Sequence, residues 1–285
     1  DEAQDLSPIQ WMMYDILKAN TKDMYLAGDD DQAIYAWAGA DVDRFIREPA
    51  TEVVLKKSRR VPRKVQDISN IIVNRIEGLR ADKTYYPREE DGSCVKINNL
   101  DNVDLMKDNW LILTRTRSKS LQIAKELKQR GIFFESKFFK SLNTKLHKAA
   151  VYYSRWTEGQ QLNQNEIDDV EDYMSDNNWN ELVPWFEAFD KANLEDKNYI
   201  RLLLSNKEKL SEPPRVKIST IHAAKGGESD NVLLVLDNAR KIRESVLKNV
   251  RKRDEEHRVW YVGVTRSRKN LYLMRAKIER YGYNL

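Results

Sequence analysis

The 285-residue sequence carries one cysteine, Cys94. A single thiol excludes an internal disulfide and a cysteine-built zinc site, and it suits a reducing compartment such as the cytoplasm. Long apolar runs are missing too. Stretches such as Asn231–Leu236 are far too short to span a bilayer, and no signal-peptide pattern is visible. There is no internal repeat, no low-complexity segment, and no GxxxxGK(S/T) phosphate loop. Basic residues are nearly absent from Thr157–Asp196, where 12 acids face one base, Lys191.

What remains is a composition able to bury a core: 41% hydrophobic and 33% charged. The length suits two domains. Net charge is +4, but Thr157–Asp196 holds −11, which leaves +15 for the rest. A basic body with an acidic insert fits a polyanion held by the body, and equally an ordinary solvated surface. Apolar runs predict strands at Asp23–Gly28, Glu52–Leu55, Asn109–Thr114, Val216–Ile221, Val232–Leu236 and Asn270–Met274. Between them lie helical patterns. In "SKSLQIAKELKQRG", Leu121, Ala124 and Leu127 share a face, Ser118 or Ser120 can cap the start, and Gly131 can end it. Alternating strands and helices argue for an α/β fold with a parallel sheet. The stretch 143–210 breaks that rhythm: it is acidic, helix-like and rich in Trp and Tyr, and it ends before Pro213-Pro214. It reads as a small helical insert.

Five segments carry candidate chemistry. "DEAQD" opens with Asp1 and Glu2; adjacent acids can split metal holding from water activation, or be a solvated terminus. "YLAGDDDQAIYAWAGA" places Gln32 after three acids. Its amide can both donate and accept, and the following Tyr35 and Trp37 can stack on a base or fill a core. "LKKSRRVPRKV" offers Arg59 and Arg60, a guanidinium pair in phosphate reach or a solvated loop. "KISTIHAAKGGESDNVLLV" sets Thr220, His222, Lys225, Gly226 and Glu228 in a strand–turn–strand unit where glycine permits close backbone approach. "EEHRVWYVGVTRSRKNLYLM" holds Arg266 between a helix and a strand, where an arginine can meet developing phosphate charge.

Taken in order, "DEAQD", "GDDDQAIYAWAGA", "LKKSRRVP", "ILTRTRSKSLQIAKELKQRGIFF", "STIHAAKGGESDNV" and "VWYVGVTRSRKNLYL" resemble motifs II to VI of the UvrD/Rep/PcrA family of superfamily 1 DNA helicases, across nearly the whole chain. The resemblance implies RecA-like α/β sheets, ATP with Mg²⁺ as cofactors, single-stranded DNA and duplex junctions as partners, no membrane, and roles in DNA repair or replication. It implies that residues 1–51 belong to a first RecA-like domain, 52–142 and 211–285 to a second, and 143–210 to a 2B-like insert that is short for that role. Residue by residue, Asp1 would hold Mg²⁺, Glu2 would activate water and Gln32 would sense the γ-phosphate. Arg60 and Arg266 would contact that phosphate. Arg59 would stand where a tyrosine covers adenine, Glu228 beside Gly226 would meet the ribose, and Tyr35, Trp37, Arg115, Arg117, Thr220 and His222 would face DNA.

Three departures stand out. Arg59-Arg60 replaces the family's "YR", and a guanidinium plane can stack where the tyrosine would. Trp37-Ala38-Gly39-Ala40 replaces "WRGA", and Lys225–Ser229 reads "KGGES" for "KGLEF". With no phosphate loop, the expectation is a C-terminal helicase portion cut at motif II, inactive alone. The expected activity of the whole is ATP-driven 3′ to 5′ movement on single strands. The alternatives are the motor of a helicase–nuclease, or a non-hydrolysing DNA-binding or recruiting module. The acidic insert is expected to stay off duplex DNA or to dock a basic protein, with Trp179 and Trp185 either as its anchors or as core.

Overall fold

The computed structural model describes residues 1–176, 179–210 and 212–285. Asn177 and Asn178 of the insert, and Ser211, lie outside the described residues. The helices are α1 (Pro8–Asn20), α2 (Val42–Arg47), α3 (Arg63–Val73), α4 (Arg117–Gln129), α5 (Thr144–Thr157), α6 (Gln164–Glu171), α7 (Trp185–Ala188), α8 (Leu194–Ser205), α9 (Arg240–Lys248) and α10 (Val250–Val264). The strands are β1 (Ser93–Ile97), β2 (Trp110–Thr114), β3 (Phe134–Ser136), β4 (Val216–Thr220), β5 (Ser229–Val235) and β6 (Ser267–Met274). Two compact units result: Asp1–Asp104 with Asp108–Ser120 and Ser219–Leu285, and Leu105–Lys107 with Leu121–Ile218.

In the first unit β1, β6, β5 and β2 pair in that order, all parallel. Asn270 of β6 pins the register. It stands level with Ser93 and Asn231, accepting from Ser93 Oγ at 2.8 Å and donating to Asn231 Oδ1 at 2.8 Å. Strands buried on both faces read as continuous apolar runs. Thus Leu111, Leu113, Val232, Leu234, Leu271 and Leu273 form a core with Val65 and Ile72 of α3 and Val259, Trp260 and Val262 of α10. Each such side chain contributes about 1.5–3 kcal/mol on burial.

Helix α10 also carries buried polar side chains tied to neighbouring segments. Asp254 accepts from the Glu77 and Gly78 amides, and Arg258 donates to the Asp30 and Leu79 carbonyls. Glu256 accepts from Trp260, Asn238 and Arg115. Helix α1 begins at a capping box of Ser7 and Gln10 with Pro8 in its first turn.

In the second unit β3 and β4 pair in parallel, Phe134 level with Val216. Helices α5 to α8 gather an aromatic cluster. Tyr153 lies 5.8 Å from Trp179, stacked, and 5.5 Å from Phe189, edge-on; Trp185 lies 5.8 Å from Phe189. Trp185 is buried and Trp179 partly so. Both pack into this aromatic core.

The α/β class, the parallel pairing and four of the six expected strands are present. Asp23–Gly28 and Glu52–Leu55 are not strands. Strand status needs a hydrogen-bonded ladder. Asp23–Gly28 has one backbone bond to "DEAQD" among the described residues, Ala3 N–H to Ala27 O, and its Tyr25 is 91% exposed. Val53 and Leu55 are likewise exposed. Strands β1 and β3 escaped the sequence because they are short and half polar. Helix α4 starts one turn earlier than expected. Thr116 Oγ1 accepts from Lys119 N, while Ser120 is buried against Thr114 Oγ1 at 2.7 Å. On its apolar face Ile123, Ala124 and Leu127 are buried and Leu121 is exposed. Gly131, at φ 63°, follows its end.

Candidate nucleotide and strand site

The loop after β4 is the hub of the first unit. His222–Ala224 form one tight turn, and Gly226 takes φ 83° with open space where a Cβ would stand. The buried Lys225 ammonium reaches Asp5, Glu2 Oε2 at 2.9 Å and the Gln32 carbonyl at 3.0 Å. Glu2 itself sits at φ 58°. Burial pushes its carboxyl up, but Lys225 outweighs burial and leaves it below the usual range. At Asp5 burial wins and the carboxyl is raised. Asp5 Oδ1 is buried without a hydrogen-bond partner among the described residues.

The turn Asp29–Gln32 lies beside it. Gln4 ties the two together: its Nε2 donates to Glu2 Oε2 and its Oε1 accepts from Asp29 N at 3.1 Å. Gln32 Nε2 donates to Asp29 Oδ2 at 2.8 Å, and Gln32 Oε1 accepts from Arg266 Nη2 at 3.1 Å. Arg266 is 1% exposed. Its Nε donates to Val262 O at 3.0 Å and its Nη1 reaches Gly227 O at 3.5 Å. Burial, then the nearby Arg60, press its pKa down to about 10, so it stays charged at neutral pH. Arg60 Nε donates to Glu228 Oε2 at 2.6 Å, and Arg268 Nη1 to Glu228 Oε1 at 3.2 Å. Burial opposes ionisation of Glu228, but the two arginines hold it below the usual range.

The aromatic residues gather on the same loop. Tyr35 OH donates to His222 O at 3.1 Å. The Tyr35, Trp37 and His222 rings lie 6.2–6.5 Å apart, and Trp37 is 70% exposed. Burial and then Arg115 push His222 down to about 4, so its ring is neutral at pH 7.

Comparison with known proteins gives the family. The UvrD-like helicase C-terminal domain model matches residues 137–277, and the UvrD/REP helicase N-terminal domain model matches residues 1–51. The chain belongs to the UvrD-like helicase family. DNA helicase II of Escherichia coli is 31% identical over 110 residues, covering 35% of this chain and 15% of that protein. ATP-dependent DNA helicase PcrA of Leuconostoc citreum is 25% identical over 149 residues, covering 45% and 20%. A probable DNA helicase II homolog of Mycoplasma capricolum is 26% identical over 157 residues, covering 47% and 22%. The matched segments thus span about a fifth of these relatives.

Within this UvrD-like chain, Glu2, Gln32, Arg60, Arg266, Glu228 and Gly226 meet around one loop, as do Tyr35, Trp37 and His222. Thr220 is buried and its Oγ1 accepts from Ala223 N at 3.3 Å. Arg115 is committed elsewhere, to the buried Glu256 at 2.9–3.1 Å. Arg117 and Arg59 are exposed. Asp1 is exposed and its Oδ1 accepts from Glu2 N at 2.9 Å.

No group of three or more His, Cys, Asp or Glu suited to a metal occurs among the described residues. A magnesium ion carried by a nucleotide needs only one or two carboxylates, the remaining ligands being phosphate oxygens and water. The exposed Asp1 carboxylate and the unpartnered Asp5 Oδ1 supply oxygen donors of that kind.

The sequence motifs assign no role to Gln4 or Asp5. In the sequence Lys225 stands out only as a neighbour of His222. Its signal was present: a lone cation between small residues, opposite a run of acids.

Proposed function

We propose that this chain is part of an ATP-driven motor that travels 3′ to 5′ on single-stranded DNA and separates duplexes at junctions. The observation that carries the reading is the shared loop. Within Thr220–Glu228, His222 meets the aromatic pair Tyr35 and Trp37, Lys225 meets Glu2 and Asp5, and Glu228 meets Arg60. A strand that shifts the aromatic end moves the hydrolytic end by the same backbone.

In this reading Trp37 stacks on a base, which tolerates any sequence. Asp1 would hold Mg²⁺, and the ion would supply charge neutralisation on the phosphates when bound. Glu2, ionised beside Lys225, accepts the proton of the attacking water. Gln32 orients that water, and Arg266 and Arg60 balance charge on the phosphoryl oxygens. Arg60 leaves Glu228 to do so, freeing Glu228 for the ribose hydroxyls. With no GxxxxGK(S/T) loop in its sequence, the 285-residue chain is expected to hydrolyse ATP negligibly alone.

The test is ATP turnover with and without single-stranded DNA, for this chain and for a full-length protein containing it. The reading requires strand-stimulated turnover in the latter, abolished by Glu2→Gln. Strand binding without hydrolysis in the full-length protein would favour the recruiting module instead.

A further inference from the structure

Lys83 lies outside every motif and is almost fully buried; its side chain is 5% exposed. Its ammonium touches three successive carboxylates: Asp29 Oδ1 at 2.7 Å, Asp30, and Asp31 Oδ2 at 3.4 Å. Two of these have other strong partners. Arg80 grips Asp31 through two bonds of 2.8 and 2.9 Å, and Asp30 Oδ2 accepts from Ala81 N at 3.1 Å. Asp29 differs. Its remaining side-chain partners are the Asp31 amide, at 3.1 Å, and Gln32 Nε2.

We propose that Lys83 is a positioning residue that acts through Asp29 to set the amide orientation of Gln32. This rests on the functional reading above and deepens it. The chemistry is one of donors and acceptors. The two ends of a glutamine amide are nearly the same size, so shape alone does not choose which faces Arg266. The Asp29 carboxylate presents acceptor oxygens, so it selects Nε2 and turns Oε1 toward Arg266 Nη2. Lys83 fixes that carboxylate in position. Three carboxylates around it outweigh the cost of burial and keep the ammonium protonated. The relay therefore runs Lys83, Asp29, Gln32, Arg266.

The experiment is a double-mutant cycle in the full-length protein, reading kcat and KM for ATP with saturating single-stranded DNA. Lys83→Met is expected to lower kcat about tenfold or more, with KM within about threefold, because the lost orientation matters in the transition state. In a Gln32→Ala background the same change is expected to cost less than about twofold, since the group it positions is gone. Equal effects in both backgrounds, or a raised KM with unchanged kcat, overturn the proposal.

If Lys83→Met loses its cooperative thermal transition, Asp29→Asn replaces it in the same cycle with the same two outcomes. If Gln32→Ala alone leaves stimulated turnover within about twofold, the reading of the site fails and the relay falls with it. A normal Gln32→Ala loss combined with multiplying effects removes the relay alone.

Discussion

Gln32 Oε1 and Arg266 Nη2 are 3.1 Å apart, joining the turn after the first acidic cluster to the end of α10. Arg266 is held from three sides by Val262 O, Gly227 O and Gln32. These contacts fix its planar fork, which in the proposed motor would leave little reorganisation for the reaction. In the full-length protein Arg266→Ala is expected to lower strand-stimulated turnover about 10³-fold or more while KM for ATP moves only a few-fold. Arg266→Lys is expected to recover little of this, because an ammonium cannot reproduce the fork. Steady-state kinetics on both variants decides it; a loss within a few-fold for Arg266→Ala removes the assignment.

Arg115 stands where the family resemblance put a strand contact, yet its guanidinium is spent on Glu256. Glu256 is buried and also accepts from Asn238 Nδ2 at 2.9 Å and Trp260 Nε1 at 2.7 Å. Removing the arginine leaves an uncompensated buried carboxylate, which typically costs about 3–5 kcal/mol. Arg115→Ala is therefore expected to lower the urea midpoint of the chain sharply, and the Arg115→Ala/Glu256→Gln pair to recover part of the loss. Strand affinity measured on folded protein is expected to change less than twofold. A large affinity loss with unchanged stability would return Arg115 to the strand site.

Gly28 is packed where a side chain does not fit. A Cβ there would stand 2.6 Å from Gln4 Oε1 and 2.8 Å from Phe45 Cζ. Gln4 is the bridge between Glu2 and Asp29, so relief of the clash displaces the group that links these two turns. Gly28→Ala is expected to cost about 1–3 kcal/mol, read by urea unfolding, and to depress turnover of the full-length protein beyond what its stability explains. Unchanged stability would mean that Phe45 and Gln4 yield freely.

Most of the sheet was legible because β2 and the latter parts of β5 and β6, Val232–Val235 and Leu271–Met274, read as unbroken apolar runs. Tyr25, Val53 and Leu55 show the limit of that signal: an apolar run says nothing about whether a ladder partner is present. The site was legible where a motif fixes residue type and spacing, as at Gln32 and Arg266. Lys83 and Asp5 were not, because a buried ion pair is made by two segments distant in sequence, and each half looks like surface charge. Arg115 misled for the converse reason. Its motif position suggested a strand contact, while its partner Glu256 lies 141 positions away.

His222 gives a pH signature. Its folded pKa is about 4 against an ordinary 6.5. Above pH 6.5 both folded and unfolded forms are neutral, so the group adds no slope. Between 6.5 and about 4 the unfolded chain takes the proton that the folded site refuses, and stability falls as pH falls. His222→Asn is expected to flatten that part of the stability profile in urea titrations at pH 7.5, 6 and 5. An unchanged slope would mean that the ring titrates normally. Because the ring is neutral at pH 7, strand affinity should not vary with His222 ionisation between pH 6.5 and 8.

The acidic segment 157–196 within the second unit allows a last test, and the structure dictates its form. Deleting 157–196 would strip Tyr153 of its ring partners Trp179 and Phe189 and unfold the cluster. Charge must be removed instead. Asp172, Asp176, Glu181 and Glu187 are exposed. Neutralising them as Asp172→Asn, Asp176→Asn, Glu181→Gln and Glu187→Gln leaves the aromatic core intact. A polyanion near this surface meets like charge and gains nothing from counterion release. The quadruple variant of the full-length protein is therefore expected to bind single strands with the same salt slope and equal affinity, and duplex DNA equally or slightly more tightly. Both are read by fluorescence anisotropy across a salt series. Weaker duplex binding with a shallower slope would make this surface a DNA contact despite its charge, and would require that the contact run through the few bases around Lys191 and Lys197.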